Sequence, residues 1–289
     1  MATGNQSFAD AAAFTVVKRP IPRTSELLPA VGLGTYQSFD AANSAGERES
    51  LKEVLRLFVQ NGGALVDSSP MYGTSESVVG DLAAGLGITG QLFMATKVWT
   101  SGRDAGVRQM EESMRRMKVA RMDLMQIHNL LDWRTHLKTL QEWKASGRIR
   151  YTGITHYHSG AYGDLERLMK TREFDFVQFN YSMAEREAEE RILPVAQETG
   201  TAVIVNRPFA QASLFSRVRG KELPSWSAEF DCKSWGQFFL KYIHGHPAVT
   251  CVIPATSKPS HLVDNMMAGI GRLPDATMRK RMAEYMDKL

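Results

Sequence analysis

The chain has 289 residues, is 43% hydrophobic and 23% charged, and carries a formal charge of +4 with both signs interspersed. This is ordinary globular composition, in a chain long enough to bury a core without disulfides or a structural metal. It lacks the basic stripe of a nucleic-acid binder, and no apolar run reaches the roughly 18 residues of a membrane span.

Neither nucleic acid nor a membrane is therefore expected as a partner. Cys232 and Cys251 form no CxxC and no disulfide framework. They fit a reducing compartment, so the expected location is cytoplasmic. Residues 1–15 lack the basic-then-apolar order of an export signal. The Ala-rich stretch at 9–13 makes a periplasmic location the alternative, should a signal have been removed from the N-terminus. Residues 1–17 read as an N-terminal extension and 18–289 as a single domain.

Along that domain, short apolar runs alternate with amphipathic stretches. Residues 28–36 read as the first strand. A helix follows at 47–61, where Leu51, Val54, Leu55, Phe58 and Val59 recur at helical spacing, and Gly62-Gly63 ends it. The second strand is 65–69, and the second helix 76–85 with Ser75 as N-cap. Strands at 92–98, 122–128, 149–155 and 176–181 alternate with helices at 104–118, 133–145, 161–171 and 188–198. The strand at 202–208 leads through an irregular link to a helix at 235–244. The last strand is 250–254 and the last helix of the series 260–267, with a further helix at 278–288.

Eight strand-then-helix units imply a parallel sheet with right-handed crossovers. Eight such units close on themselves, so the expected fold is α/β, a (β/α)₈ TIM barrel with an extra C-terminal helix. The alternative, an open doubly wound sheet, usually carries GxGxxG. Here Gly32-Leu33-Gly34 has no third glycine at the required spacing.

In a barrel of this kind chemistry sits where the strands finish. The strand ends carry Asp67 with Tyr72 just beyond, Lys97, His128, Thr155 and His156, Gln178 and Asn180, Asn206 and Arg207, and Thr256, Ser257 and Lys258. Each type has an ordinary structural use: aspartate in turns, tyrosine in loop packing, histidine as a satisfied core residue. Together on one rim they indicate a site. A phenol has a pKa of about 10 and is a poor acid at neutral pH. A nearby ammonium lowers that pKa, and a carboxylate keeps the ammonium charged when both are desolvated. A neighbouring imidazole can orient a carbonyl oxygen. This is equipment for protonating a developing alkoxide while a cofactor delivers hydride.

From about Lys18 to its end the chain resembles the aldo-keto reductase family. The resemblance is carried by Val31-Gly32-Leu33-Gly34-Thr35-Tyr36, Asp67-Ser68-Ser69-Pro70-Met71-Tyr72-Gly73, Thr96-Lys97-Val98-Trp99 and Gln126-Ile127-His128-Asn129. It continues in Gly153-Ile154-Thr155-His156, Gln178-Phe179-Asn180-Tyr181 and Ile253-Pro254-Ala255-Thr256-Ser257-Lys258-Pro259 with Asn265. The resemblance implies an enzyme that reduces aldehydes or ketones with NADPH, or runs the reverse reaction on an alcohol. Tyr72 would be the acid or base, Lys97 would lower its pKa, Asp67 would pair with Lys97, and His128 would place the substrate oxygen. It also implies cofactor contacts at Gly34, Thr35, Tyr36, Asp67, Thr155, His156, Gln178, Asn206, Pro208, Phe209, Thr256, Ser257, Lys258 and Asn265; Arg207 has no family counterpart and is read as a further cofactor contact facing the pyrophosphate, with a structural ion pair as the alternative. Substrate contacts are implied at Tyr36, Met71, Trp99, Asn129 and Trp226, and no metal is expected.

Three departures stand out. Family members place Tyr or Trp at the end of the seventh strand to stack on the nicotinamide, where this chain has Asn206. Cations that read the 2′-phosphate are replaced by Ala255 and His261, which leaves NADH open as a second cofactor. Asn129 stands where a Trp often follows the catalytic His. Three other readings compete. One is a metal-dependent hydrolase using His128, His156 and His158, although the first strand lacks the HxH such barrels carry. A second is a Schiff-base lyase using Lys97. The third is a redox-sensing interaction subunit that binds cofactor and turns over slowly.

Overall fold

The computed structural model describes residues 15–41 and 44–289. Eight parallel strands follow one another in chain order: β3 (Leu33–Gly34), β4 (Leu65–Asp67), β5 (Phe93–Val98), β6 (Met122–His128), β7 (Ile149–Thr155), β8 (Phe176–Asn180), β9 (Ala202–Asn206) and β10 (Val249–Val252). The sheet closes through parallel bridges Val31↔Val252 and Gly34↔Ala255, with Gly32 N donating to Val252 O at 2.8 Å. The result is the (β/α)₈ TIM barrel. Between the strands run α1 (Ala45–Gln60), α2 (Ser75–Leu86), α3 (Arg103–Arg116), α4 (Trp133–Ala145), α5 (Tyr162–Lys170), α6 (Ile192–Thr199), α7 (Ser213–Arg217), α8 (Trp235–His244) and α9 (Pro259–Met267). The extra C-terminal helix is α10 (Ala276–Asp287).

Side chains alternate across a strand, and the two faces have built two cores. Facing inward, Leu65, Phe93, Ala95, Leu124, Tyr151, Phe176, Ala202, Ile204 and Cys251 fill the barrel. Facing outward, residues such as Val66, Met94, Met125, Ile154, Val177 and Val203 meet the apolar faces of the helices. The same alternation sends Asp67, Lys97, His128, Thr155 and Gln178 inward at the upper end, where the interior turns from apolar to polar. The lower end is plugged by an antiparallel pair, β1 (Lys18–Pro20) with β2 (Leu27–Pro29), which adds Ile21 and Leu28 to the inner core.

Three expected elements differ. The strand expected at 28–36 is divided: its start pairs with β1 below the barrel, and only Leu33–Gly34 forms a regular barrel strand. Ser75 is the first residue of α2 and not its cap; its buried hydroxyl donates to Thr35 O at 3.4 Å. The helix expected from 188 begins at Ile192, because Pro194 has no amide to offer and is tolerated within a first turn. Most of the expected N-terminal extension lies outside the described residues, but Val17 N donates to Gly269 O at 2.8 Å and Val16 bridges Ile270.

The C-terminal helix is fastened by polar groups. Glu189 Oε1 accepts from Tyr181 Oη at 2.5 Å, Tyr242 Oη at 2.5 Å and Arg279 Nη2 at 2.8 Å. Both cysteines are free and buried, and burial pushes the Cys232 thiol up to about 12. Among the described residues no helix is long and apolar enough to cross a membrane.

Candidate active site

At the C-terminal rim the barrel opens into a cleft of ≈ 1370 Å³. Its deepest polar group is an ion pair. Lys97 Nζ lies 2.7 Å from Asp67 Oδ2 and donates to Ser68 O at 2.6 Å. Lys97 is 1% exposed and Asp67 3%. Gln126 occupies the free side of the carboxylate, its Nε2 donating to Asp67 Oδ1 at 3.0 Å. Gln126 has room there because position 153 is glycine: a Cβ on Gly153 would come within 2.9 Å of Gln126 Cγ. On the outer face of β5, Thr96 donates to the buried Glu76 at 2.6 Å, which ties α2 to the strand behind Lys97.

Tyr72 stands above this pair, with Lys97 Nζ 4.9 Å from its ring centroid. The loop carrying it is held by Asp40 Oδ1, which accepts from Thr74 N at 2.9 Å and Thr74 Oγ1 at 2.7 Å. Gly73 at φ 57° is required in that turn, since a Cβ would sit 2.3 Å from Asp40 Oδ2. The Tyr72 ring contacts Tyr36 at 5.0 Å and His128 at 5.9 Å between centroids.

The electrostatics qualify the expectation that Lys97 makes Tyr72 a stronger acid. Burial is the largest influence and pushes the Tyr72 phenol above its ordinary pKa. The Lys97 charge opposes this, while Asp67 and Tyr36 add to the rise. The net direction is upward because desolvating a phenolate outweighs one ammonium that is itself shared with Asp67. Burial disfavours the Lys97 ammonium too, but Asp67 and Tyr72 outweigh it and the pKa of Lys97 is raised. The site therefore holds a neutral phenol beside a charged lysine.

His128 is 6% exposed, and its Nδ1 is 3.1 Å from Ser69 Oγ. Burial, reinforced by Lys97 and His156, pulls its pKa down to about 3. His244 is likewise held at about 3 by burial, Arg19 and Lys241. His246 is held at about 4 by burial and Arg279, against Glu189. These rings stay neutral in the folded chain but take protons below about 6.5 once unfolded. The unfolded state then binds more protons, so stability should be full above about pH 6.5 and fall as pH drops toward 4. Urea midpoints at pH 7.5, 5.5 and 4.5 should decline in that order, and a flat series would contradict these neutral histidines.

Further round the rim, Thr155 Oγ1 donates to Gln178 Oε1 at 2.9 Å. Several buried polar atoms around the rim have no partner among the described residues: Gln178 Nε2, a donor, and the acceptors Asn206 Oδ1, Asn180 Oδ1, Asn129 Oδ1 and Gln126 Oε1. Beyond them, Thr256, Ser257, Lys258, His261 and Asn265 line the cleft where β10 runs into α9. Asn265 is 6% exposed.

Of the residues predicted from sequence, the cleft is lined by Gly34, Thr35, Tyr36, Asp67, Met71, Tyr72, Trp99, His128, Asn129, Thr155, Gln178, Asn206, Arg207, Pro208, Phe209, Thr256, Ser257, Lys258 and Asn265. Lys97 lies beneath them. Two predicted residues are elsewhere. Trp226 packs against Phe230, Phe238 and Tyr285 with Arg281 over its ring, away from the cleft, and Trp235 lines the cleft instead. His156 follows the inward Thr155, so it turns away and its Nδ1 accepts from Tyr157 N at 3.1 Å, while Tyr157 reaches the cleft. Sequence reading missed Gln126, Ser69, Tyr157 and Trp235. Gln126 was findable, since it shares the inward face of β6 with His128. Nothing local separates Trp226 from Trp235. Among the described residues no three His, Cys, Asp or Glu side chains converge as metal ligands.

Comparison with known proteins identifies the family. The model of the Aldo/keto reductase family matches residues 30–283. Methylglyoxal reductase YeaE of Escherichia coli is 26% identical over 245 residues, covering 82% of this chain and 84% of that protein. Aflatoxin B1 aldehyde reductase member 2 of Rattus norvegicus is 26% identical over 257 residues, covering 78% of this chain and 68% of that protein. A crystal structure of an aldo-keto reductase from Klebsiella pneumoniae in complex with NADPH superposes with a TM-score of 0.75 at 25% identity, covering 93% and 95% of the two chains. The chain belongs to the aldo/keto reductase family.

Proposed function

We propose that this chain is an NADPH-dependent reductase of aldehydes or ketones, working in either direction, with Tyr72 as the proton donor and acceptor. The observation that carries this reading is the buried Asp67–Lys97 pair beneath Tyr72, with a neutral His128 alongside, at the floor of an open cleft.

The cleft also fits a nicotinamide. Among the described residues Gln178 Nε2 lacks an acceptor and Asn206 Oδ1 lacks a donor, on neighbouring strands. A primary carboxamide supplies both, so Gln178 and Asn206 would hold it, with Thr155 fixing the glutamine. Lys258, His261 and Asn265 would take the adenosine end, at the start of α9 where backbone amides favour a phosphate. The bound cofactor supplies hydride. Tyr36, Met71, Trp99 and Asn129 would surround the substrate.

The protein's own groups then handle the proton. The tautomer of neutral His128 in which Nδ1 accepts from Ser69 would carry its hydrogen on Nε2 and could offer it to the substrate oxygen. Tyr72 gives its phenolic proton to the developing alkoxide. Lys97 stabilises the phenolate left behind, and Asp67 and Gln126 keep Lys97 charged and in place.

Fluorescence titration of the purified protein with NADPH and, separately, NADH tests the cofactor assignment. Saturable binding with NADPH preferred supports it, equal affinities would show that Lys258 and His261 do not read the 2′-phosphate, and binding of neither would refute it.

A further inference from the structure

His128 is neutral, so one of its two ring nitrogens carries the hydrogen, and the carbonyl chemistry above needs it on Nε2. The aromatic neighbours do not decide between the two. Tyr72 meets the imidazole edge-on at 5.9 Å and Trp99 is tilted against it at 6.3 Å between centroids. Both contacts hold the plane of the ring and are indifferent to the place of one hydrogen.

The deciding group is Ser69, fully buried and two residues beyond Asp67, where β4 has ended. Its Oγ has two polar neighbours among the described residues. Met71 N donates to it at 3.4 Å, and His128 Nδ1 lies 3.1 Å away. A hydroxyl has one hydrogen to give and two lone pairs that accept. The amide can only donate, so it takes a lone pair, and Nδ1 is the one acceptor left for the hydroxyl hydrogen. Were the ring hydrogen on Nδ1, the oxygen would accept twice. Its own hydrogen would then be buried without a partner, which costs free energy. The arrangement that satisfies every group has Nδ1 accepting and the ring hydrogen on Nε2.

Ser69 also starts the turn that carries the acid, since Tyr72 N donates to Ser69 O at 3.0 Å. One residue thus fastens the backbone of Tyr72 and the ring of His128. We propose that Ser69 is a positioning residue of this site: its hydroxyl fixes the His128 tautomer with hydrogen on Nε2 and registers that ring against the turn bearing Tyr72. The inference rests on the carbonyl-reductase reading above. Ser69 is not among the residues that line the cleft, so it acts through His128 and not on the substrate.

The test reads the tautomer directly, by long-range proton–nitrogen correlation spectra of the full chain labelled with nitrogen-15. His128 is identified by the signals lost in His128→Gln. Wild type should show an unprotonated Nδ1 and a protonated Nε2. Ser69→Ala should move the two nitrogen shifts toward each other as the second tautomer becomes populated. The same variant should lower kcat for carbonyl reduction about tenfold, the worth of one hydrogen bond, with the Kd for NADPH unchanged.

A ring hydrogen found on Nδ1 in the wild type would overturn the assignment. So would a Ser69→Ala protein with an unchanged tautomer, the result expected if the hydroxyl only stabilised the fold. A shifted tautomer with wild-type kcat would overturn the positioning role. Because the spectra need no turnover, failure of the parent reading is separable. A wild type with its hydrogen on Nε2 that reduces no aldehyde or ketone would overturn the reductase reading instead.

Discussion

Replacing Tyr72 by Phe should lower kcat for carbonyl reduction by roughly 10²- to 10⁴-fold, the usual contribution of a positioned proton donor. The Kd for NADPH should stay within about twofold, because the substitution removes only the hydroxyl beside Lys97 at the cleft floor. The ring itself is retained, so its contacts with Tyr36 and His128 survive. The pH dependence should also carry the signature of a phenol whose pKa lies above its ordinary value. Reduction uses the protonated form and should be level through neutral pH. Alcohol oxidation needs the phenolate and should rise well into the alkaline range. Wild-type kcat in Tyr72→Phe would remove Tyr72 from the mechanism.

Lys97→Met should have two separable effects. The side chain is fully buried and its ammonium faces Asp67 at 2.7 Å, so removing it leaves a carboxylate with Gln126 as its remaining side-chain partner. Breaking a buried pair from one side costs about 3–5 kcal/mol, and the thermal midpoint should drop by roughly 10 °C. Activity should fall with it, because nothing then stabilises the Tyr72 phenolate. Combining Lys97→Met with Asp67→Asn removes the orphaned charge and should recover most of the stability without recovering activity. If activity returned along with stability, Lys97 would be a structural cation and the proton-transfer account would be wrong.

The barrel was legible because its two signals are local. Short apolar runs and amphipathic helices alternate from residue 28 onward, and the rim residues follow once the strand ends are known. The ion pair and its tyrosine were legible because Asp67, Tyr72 and Lys97 lie at the ends of adjacent strands. The rest depends on geometry that spacing does not encode. The net pKa of Tyr72 depends on how burial compares with one shared ammonium, and a sequence names the ammonium but not the burial. His156 was expected in the cleft and Tyr157, to which no role was given, lines it instead, because one residue of alternation decides which side chain faces the mouth. Trp226 lies in the long link between β9 and α8 and Trp235 opens α8, and tertiary packing alone sends one under α10 and the other to the cleft.

The central claim is that this cleft couples NADPH oxidation to carbonyl reduction through Tyr72. The most direct measurement follows the nicotinamide absorbance band when wild type and Tyr72→Phe are mixed with NADPH and a broad panel of aldehydes and ketones, with the alcohol product quantified. The account predicts NADPH consumption matched one to one by alcohol for at least one carbonyl in the wild type, and near-complete loss in the variant at unchanged cofactor affinity. NADPH bound but never consumed, or consumed equally by the variant, would contradict it.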